Sequence, residues 1–194
     1  MKVVLGLGNP GKEYALTRHN VGWWVVDHLA DVWRFNAWRK DGEAMTATGR
    51  VGEHQVRLVK PLTYMNLSGP VLRPYQRRAF WDPTYDLLVV LDEVALPLGT
   101  FRLRARGSAG GHNGLKSVEG QLRTQDYARL RVGIGPDDPR RRGDLADFVL
   151  DRFGAGERDT VRTLMEPVRA AVETWLREGI DKAMSLHNRA GAAP

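Results

Sequence analysis

Two short, unbroken apolar runs, Lys2–Leu7 and Leu87–Leu91, constrain this chain more than any other feature. Runs of that length without polar alternation suit strands buried on both faces, and such strands need a covering layer on each side. The segments between them supply the layers. Behind Asn20, which reads as a helix N-cap, Val21, Trp24, Val25, His28, Leu29 and Val32 follow helical spacing. Residues 43–60 alternate around Gly49 and Gly52, the pattern of a hairpin ending in a strand over Gln55–Val59; Pro61 stops it and a helix begins near Thr63–Asn66. Thr100–Ala105 alternates cleanly, with Phe101, Leu103 and Ala105 on one face and Arg102, Arg104 and Arg106 on the other. A helix over Leu115–Leu122 and a strand over Arg129–Ile134 follow. Asp144 or Asp147 starts a short helix. A longer one spans Glu157–Arg177, kinked at Pro167 and ended by Gly179, and Asp181–His187 adds a last turn or two. The expectation is one α/β domain over residues 1–189, a central mixed twisted sheet with helices on both faces, and a flexible tail over 190–194.

Composition narrows the class. With 194 residues the chain can build one sizeable core, and 42% hydrophobic with 27% charged residues is ordinary for a water-exposed globular domain. No run approaches the roughly 20 apolar residues of a membrane span. The opening MKVVLGLGNPG is too short for a secretory core and carries no small-residue cleavage site, so a cytoplasmic protein is expected. With no Cys, disulfides, thiolate catalysis and Cys-based zinc sites are excluded. The net charge of +6 favours a polyanionic partner, nucleic acid first. Arg outnumbers Lys 23 to 6, which suits fixed-geometry grip on phosphate but also follows from source composition.

Three of the six Asn residues lie in turn-like stretches beside glycine: Asn9 in GLGNPG, Asn66 in YMNLSG and Asn113 in GGHNG. Amides converging on one pocket offer donors and acceptors without charge, which suits a neutral ester or amide substrate. His19, just before the Asn20 cap, is better placed than the other histidines, and Asp92 follows the second apolar run at the edge where open α/β sheets bind ligands. A His with an Asp to orient it supplies a proton acceptor, so the set points to hydrolysis by an activated water. The bland alternatives are a packing His near a cap and ordinary turn chemistry at Asp92. Arg102, Arg104 and Arg131 project from two strand faces; with Lys116, and with Arg106 and Arg129 extending the patch, they suit a phosphate backbone, or else form a solvated face. Arg140, Arg141 and Arg142 read as a solvated loop. Gly6-Leu-Gly8-Asn-Pro-Gly11 matches the dinucleotide fingerprint formally, but no helix opens inside it and Asp27 and Asp31 lie within a helix, so no dinucleotide is expected. P-loop, G-x-S-x-G and H-E-x-x-H patterns are absent and the five His lack ligand spacing, so neither cofactor nor metal is expected.

GLGNPGKEYALTRHNVG, KPLTYMNLSG and GSAGGHNGLKS, with LDE and LPLG before the last, resemble bacterial peptidyl-tRNA hydrolase in order and spacing from Val3 to about Gly135. ADFVLDRF near the C-terminus is similar too. The resemblance implies hydrolysis of the ester joining a peptide to the 3′ end of tRNA, by a metal-free monomer with a mixed sheet between helices. By position it implies His19 as general base, Asp92 as its orienting acid, and Asn9 as the residue sensing the N-blocked end. Asn66 and Asn113 match amides holding the peptide and terminal adenosine; Tyr14, Tyr64 and Met65 match cleft walls, and Asn20 joins the substrate-binding set. Arg102, Arg104, Arg131 and Lys116 match the phosphate grip. Two departures stand out: Ala95 replaces a usual acidic residue, and the loop from Pro136 to Arg142 continues differently. Two other readings compete: an RNA-binding relative without catalysis, against which all five cleft positions are present, and a dinucleotide-dependent oxidoreductase.

Overall fold

The computed structural model describes residues 1–136, 138 and 143–188. Its strands are β1 (Lys2–Gly6), β2 (Arg39–Asp41), β3 (Ala44–Val51), β4 (His54–Pro61), β5 (Leu87–Pro97), β6 (Phe101–Arg104) and β7 (Ala128–Gly135). They form one sheet in the order β2-β3-β4-β1-β5-β7-β6. The four inner strands β4, β1, β5 and β7 run parallel, while β2, β3 and β6 are antiparallel. The two apolar runs are therefore adjacent central strands, and Val3, Val4, Leu5, Leu88, Val89 and Val90 are fully buried.

The helices are α1 (Val21–Val32), α2 (Arg73–Gln76), α3 (Pro83–Asp86), α4 (Asn113–Leu122), α5 (Leu145–Leu150), α6 (Ala155–Thr163), α7 (Met165–Glu178) and α8 (Ile180–His187). One face of the sheet packs Val4, Leu88 and Leu130 against Val25 and Leu29 of α1 and Val168, Val172 and Trp175 of α7. The other packs Leu5, Val89 and Leu91 against Leu115 and Val118 of α4 and against Val71, Leu72 and Tyr75. The expected mixed sheet with helices on both faces is what forms. No helix among the described residues is long and apolar enough to cross a membrane.

The glycines of the first loop serve close packing. A Cβ on Gly6 would lie 2.4 Å from the Gly22 carbonyl oxygen, and one on Gly22 would lie 2.5 Å from that of Leu7. The dinucleotide-like pattern thus lets α1 lie flat on β1, and the helix opens only at Val21, after a 3₁₀ turn over Arg18–Asn20.

Several expected elements change. The helix near Thr63–Asn66 resolves into 3₁₀ turns, Met65–Leu67 and Gly69–Leu72, and then α2, because prolines at 70 and 74 remove ladder donors. Val32 is exposed, so the buried stripe of α1 is Val21, Val25, Val26 and Leu29. The single helix expected over Glu157–Arg177 is broken at Leu164 into α6 and α7: Pro167 has no N–H and its ring crowds the carbonyl four residues back. Gly179 ends α7 at φ 84°, as expected. Asp144 caps α5, accepting from the N–H of Ala146 and Asp147.

The sheet's two edges are closed differently. β2 is short, charged and fully exposed. At β6, the Asn188 side chain accepts from the Leu103 N–H at 2.8 Å and donates to the Leu103 carbonyl at 3.0 Å. The expected tail at 190–194 and the Arg140–Arg142 loop lie outside the described residues.

Candidate active site

The site lies beyond the carboxyl end of β1 and beside Asp92 within β5, built from four segments and the turn after β4. The first is the loop after β1. Asn20 does not cap α1 with its side chain; its Oδ1 accepts from the Asn9 N–H and its Nδ2 donates to the Asn9 carbonyl, both at 2.9 Å. Expected among the substrate-binding residues, Asn20 is 0% exposed and both halves of its amide are engaged on Asn9, so it is a strut inside the loop. The Asn9 Oδ1 in turn accepts from the Met65 N–H at 2.7 Å, which fixes its amide orientation and leaves Nδ2 as the group with no partner among the described residues. Met65 is buried and lies against Gly114 of α4. Tyr14 and Tyr64 meet edge to face with centroids 6.5 Å apart, and Tyr64 and Asn66 are exposed at the rim.

The second segment presents His19 from the 3₁₀ turn before α1. Arg18 anchors that turn: its guanidinium donates to both Glu157 oxygens and to the Phe148 carbonyl and lies over the Phe148 ring. The third is β5. Asp92 is not the end of its strand; β5 runs on to Pro97 through an irregularity after Glu93, and Asp92 pairs with Val132 one residue before the last regular position, Glu93 with Gly133. The His19 Nδ1–H donates to Asp92 Oδ1 at 2.8 Å, so Nε2 is the ring nitrogen with no partner among the described residues.

The fourth is the loop and helix after β6, and it brings a residue that sequence reasoning passed over. His112 Nε2 lies 2.9 Å from the same Asp92 Oδ1, and its Nδ1 accepts from the N–H of Gly114 at 3.1 Å and of Leu115 at 3.4 Å, capping α4. The available signal is its place just before a helical run, where an acceptor is required. α4 accordingly starts at Asn113, earlier than the expected Leu115, and Asn113 is exposed there. Asp92 is 3% exposed. Burial pushes its carboxyl up, but the charge of His19 and the hydrogen bonds from both rings push harder the other way and hold it well below the usual carboxylate range.

His19, Asp92 and His112 offer three potential metal-ligand atoms within 4.8 Å of one another. Ligands about 2.0–2.1 Å from a tetrahedral zinc stand roughly 3.3 Å apart. Here both ring nitrogens sit at direct hydrogen-bond distance from one oxygen, and the second nitrogen of His112 is engaged by backbone.

A cavity of about 610 Å³ opens beside this network, lined by His19, Asp92, His112, Asn113, Arg104 and Arg131 among others. Asn9, Tyr14, Tyr64, Met65 and Asn66 stand outside that lining. The register pairs Arg102 with Arg131 and Arg104 with Arg129, placing all four on one face of β6 and β7. Their surroundings differ. Arg102 and Arg104 are exposed, and Arg131 is ion-paired to Glu93. Arg129, expected to extend the basic patch, is 3% exposed: it donates to Ser108 O at 2.8 Å and to Glu119 and Gln125, clasping the glycine-rich loop to α4. Lys116 is exposed on α4 and outside the cavity lining.

Fold and site together define a class: an α/β protein with a histidine–carboxylate pair near the carboxyl ends of central parallel strands, beside a cavity lined in part by Asn113. The family profile described as peptidyl-tRNA hydrolase matches residues 3–193, and the chain belongs to that family. A peptidyl-tRNA hydrolase from Gemmatimonas aurantiaca is 57% identical over 190 residues, covering 97% of this chain and 100% of that protein. One from Bacillus cytotoxicus is 43% identical over 188 residues, with the same shares covered. The crystal structure of peptidyl-tRNA hydrolase from Acinetobacter baumannii matches with a TM-score of 0.84 at 32% identity, over 99% of this chain and 95% of that one.

Proposed function

We propose that this chain is a cytoplasmic, monomeric enzyme, folded as one domain over residues 1–189, that hydrolyses the ester between a peptide and the 3′ end of tRNA, releasing both. The observation that carries the mechanism is the direct contact of His19 Nδ1 with buried Asp92. An imidazole whose Nδ1–H is held by a carboxylate keeps its Nε2 lone pair available, and the carboxylate stabilises the imidazolium that forms. His19 takes a proton from water, and the resulting hydroxide attacks the ester carbonyl. The tetrahedral intermediate then breaks its bond to the ribose oxygen, which takes the proton back from the His19 imidazolium and leaves as a hydroxyl, so no protein nucleophile or metal enters the scheme.

The Asn9 Nδ2, aimed by its neighbours Met65 and Asn20, donates at the reacting end or to the N-blocked group of the substrate. Asn113, at the first turn of α4 and in the cavity lining, is the second candidate donor to the developing oxyanion. One such donor is worth about 10²–10³ in rate. Tyr14, Tyr64, Met65 and Asn66 flank the peptide and the terminal adenosine. Arg102, Arg104, Arg131 and Lys116 supply phosphate contacts, with Arg131 oriented by Glu93.

The test is release from N-acetyl-aminoacyl-tRNA against unblocked aminoacyl-tRNA, with and without EDTA, for the native protein and His19→Ala. Release from the blocked substrate alone, unchanged by EDTA and lost in His19→Ala, is expected. Binding of tRNA without release in the native protein would leave the non-catalytic RNA-binding reading.

A further inference from the structure

We propose that His112 is a positioning residue: the N-terminus of α4 locks it as a neutral Nε2–H donor, and in that state it fixes Asp92 and tempers the grip of Asp92 on His19. The inference rests on the hydrolase reading above for its kinetic consequence, and on geometry alone for its protonation state.

The lock follows from the cap. A ring nitrogen that accepts a hydrogen bond from an N–H carries no proton, and His112 Nδ1 faces the N–H groups of Gly114 and Leu115. The ring proton is therefore on Nε2, 2.9 Å from Asp92 Oδ1. Adding a second proton would set an N–H against two backbone N–H groups at the positive end of a helix, which disfavours imidazolium. A neutral second ring also matters because the two rings lie 5.0 Å apart, close enough for two imidazolium charges to repel.

The consequence falls on one atom. Asp92 Oδ1 accepts from both rings, at 2.8 and 2.9 Å. An acceptor shared by two donors delivers less to each. With His112 donating, Asp92 still orients His19 but grips its protonated form less than an unshared carboxylate would. Among the described residues, the remaining charged groups near the pair do not duplicate this role. The turn before α1 adds Arg18, engaged by Glu157. β5 and β7 add Glu93 and Arg131, paired to each other. Arg129 and Glu119 are joined behind the loop, while Arg104, Arg106 and Asp144 line the cavity and make no ion pair with Asp92 or either ring.

The experiment compares native protein, His112→Asn and His112→Ala. Asn is a good N-cap but too short to reach Asp92, so it separates the cap from the donation. Both variants are expected to move the acid limb of the kcat/KM profile upward by about one pH unit, a roughly tenfold loss on the acid side, with a much smaller loss on the alkaline plateau. Only His112→Ala is expected to lower Tm appreciably. In ¹⁵N-histidine spectra of the native protein at pH 8, His112 should show its proton on Nε2 and an unprotonated Nδ1. An unmoved acid limb in a well-folded His112→Asn, or a protonated Nδ1 in the native spectrum, overturns the proposal. A native protein without hydrolytic activity sinks the functional reading instead, and the nitrogen spectrum still decides the tautomer.

Discussion

Asn9 is held at three atoms, and each hold has a consequence. Asn9→Asp keeps an acceptor for the Met65 N–H but removes the Nδ2 donor. Steady-state kinetics should show a kcat loss of about 10²–10³ with little change in Tm. Asn20→Ala strands the buried N–H and C=O of Asn9, at about 1–3 kcal/mol for each unpaired group, so denaturant unfolding should report a clear loss of stability. His19→Ala should lower kcat by about 10²–10⁴ while the variant still binds tRNA. At this scale the sequence marks Asn9, His19 and Asp92 as candidates, because a turn, a cap region and an apolar run each limit what such residues can do. It does not reveal that Asn20 works inward, since capping and bracing use the same side chain and only the third dimension decides. His112 escapes for a related reason: its partner, Asp92, is twenty residues away on another element.

Elements show where local pattern is enough. The central strands follow from uninterrupted apolar runs, and the capping of α5 by Asp144 follows from residue type. The break at Leu164 is legible as a disturbance from Pro167, though not its severity, which depends on how α6 and α7 pack. Arg129 illustrates the opposite case. Alternation puts it on the same face as Arg102 and Arg104, but α4 and the glycine-rich loop cover it. Arg129→Met should destabilise the protein by about 3 kcal/mol by removing the buried guanidinium that holds Glu119 and the carbonyls of Ser108 and Gln125, whereas Arg102→Ala should cost little stability. At the α7–α8 junction, burial lowers the proton affinity of His187, which lies 2.9 Å from Thr174 Oγ1. The neutral ring is thus the form the fold prefers. Its contribution is complete above an unfolded value of about 6.5 and is lost as pH falls below it, so His187→Gln should flatten the decline of Tm on mild acidification.

Over the whole molecule, the net charge of +6 is less informative than its division. Arg129 is buried and Arg131 is paired, so the exposed Arg102 and Arg104 carry the freer charge on that face. If they meet tRNA phosphates, each replacement by Ala should reduce the salt dependence of KM by about 0.7–0.9 in log–log slope, while kcat at saturating substrate stays near native. The same strand, β6, is also the border of the sheet, and one amide stands against it. Asn188 meets both backbone groups of Leu103 as a neighbouring strand would. It acts as a stopper on a surface that would otherwise template another chain. A protein with Asn188→Ala should keep its turnover when dilute yet lose solubility as concentration rises, so the lifespan of this enzyme in a crowded solution would rest on a residue far from its chemistry.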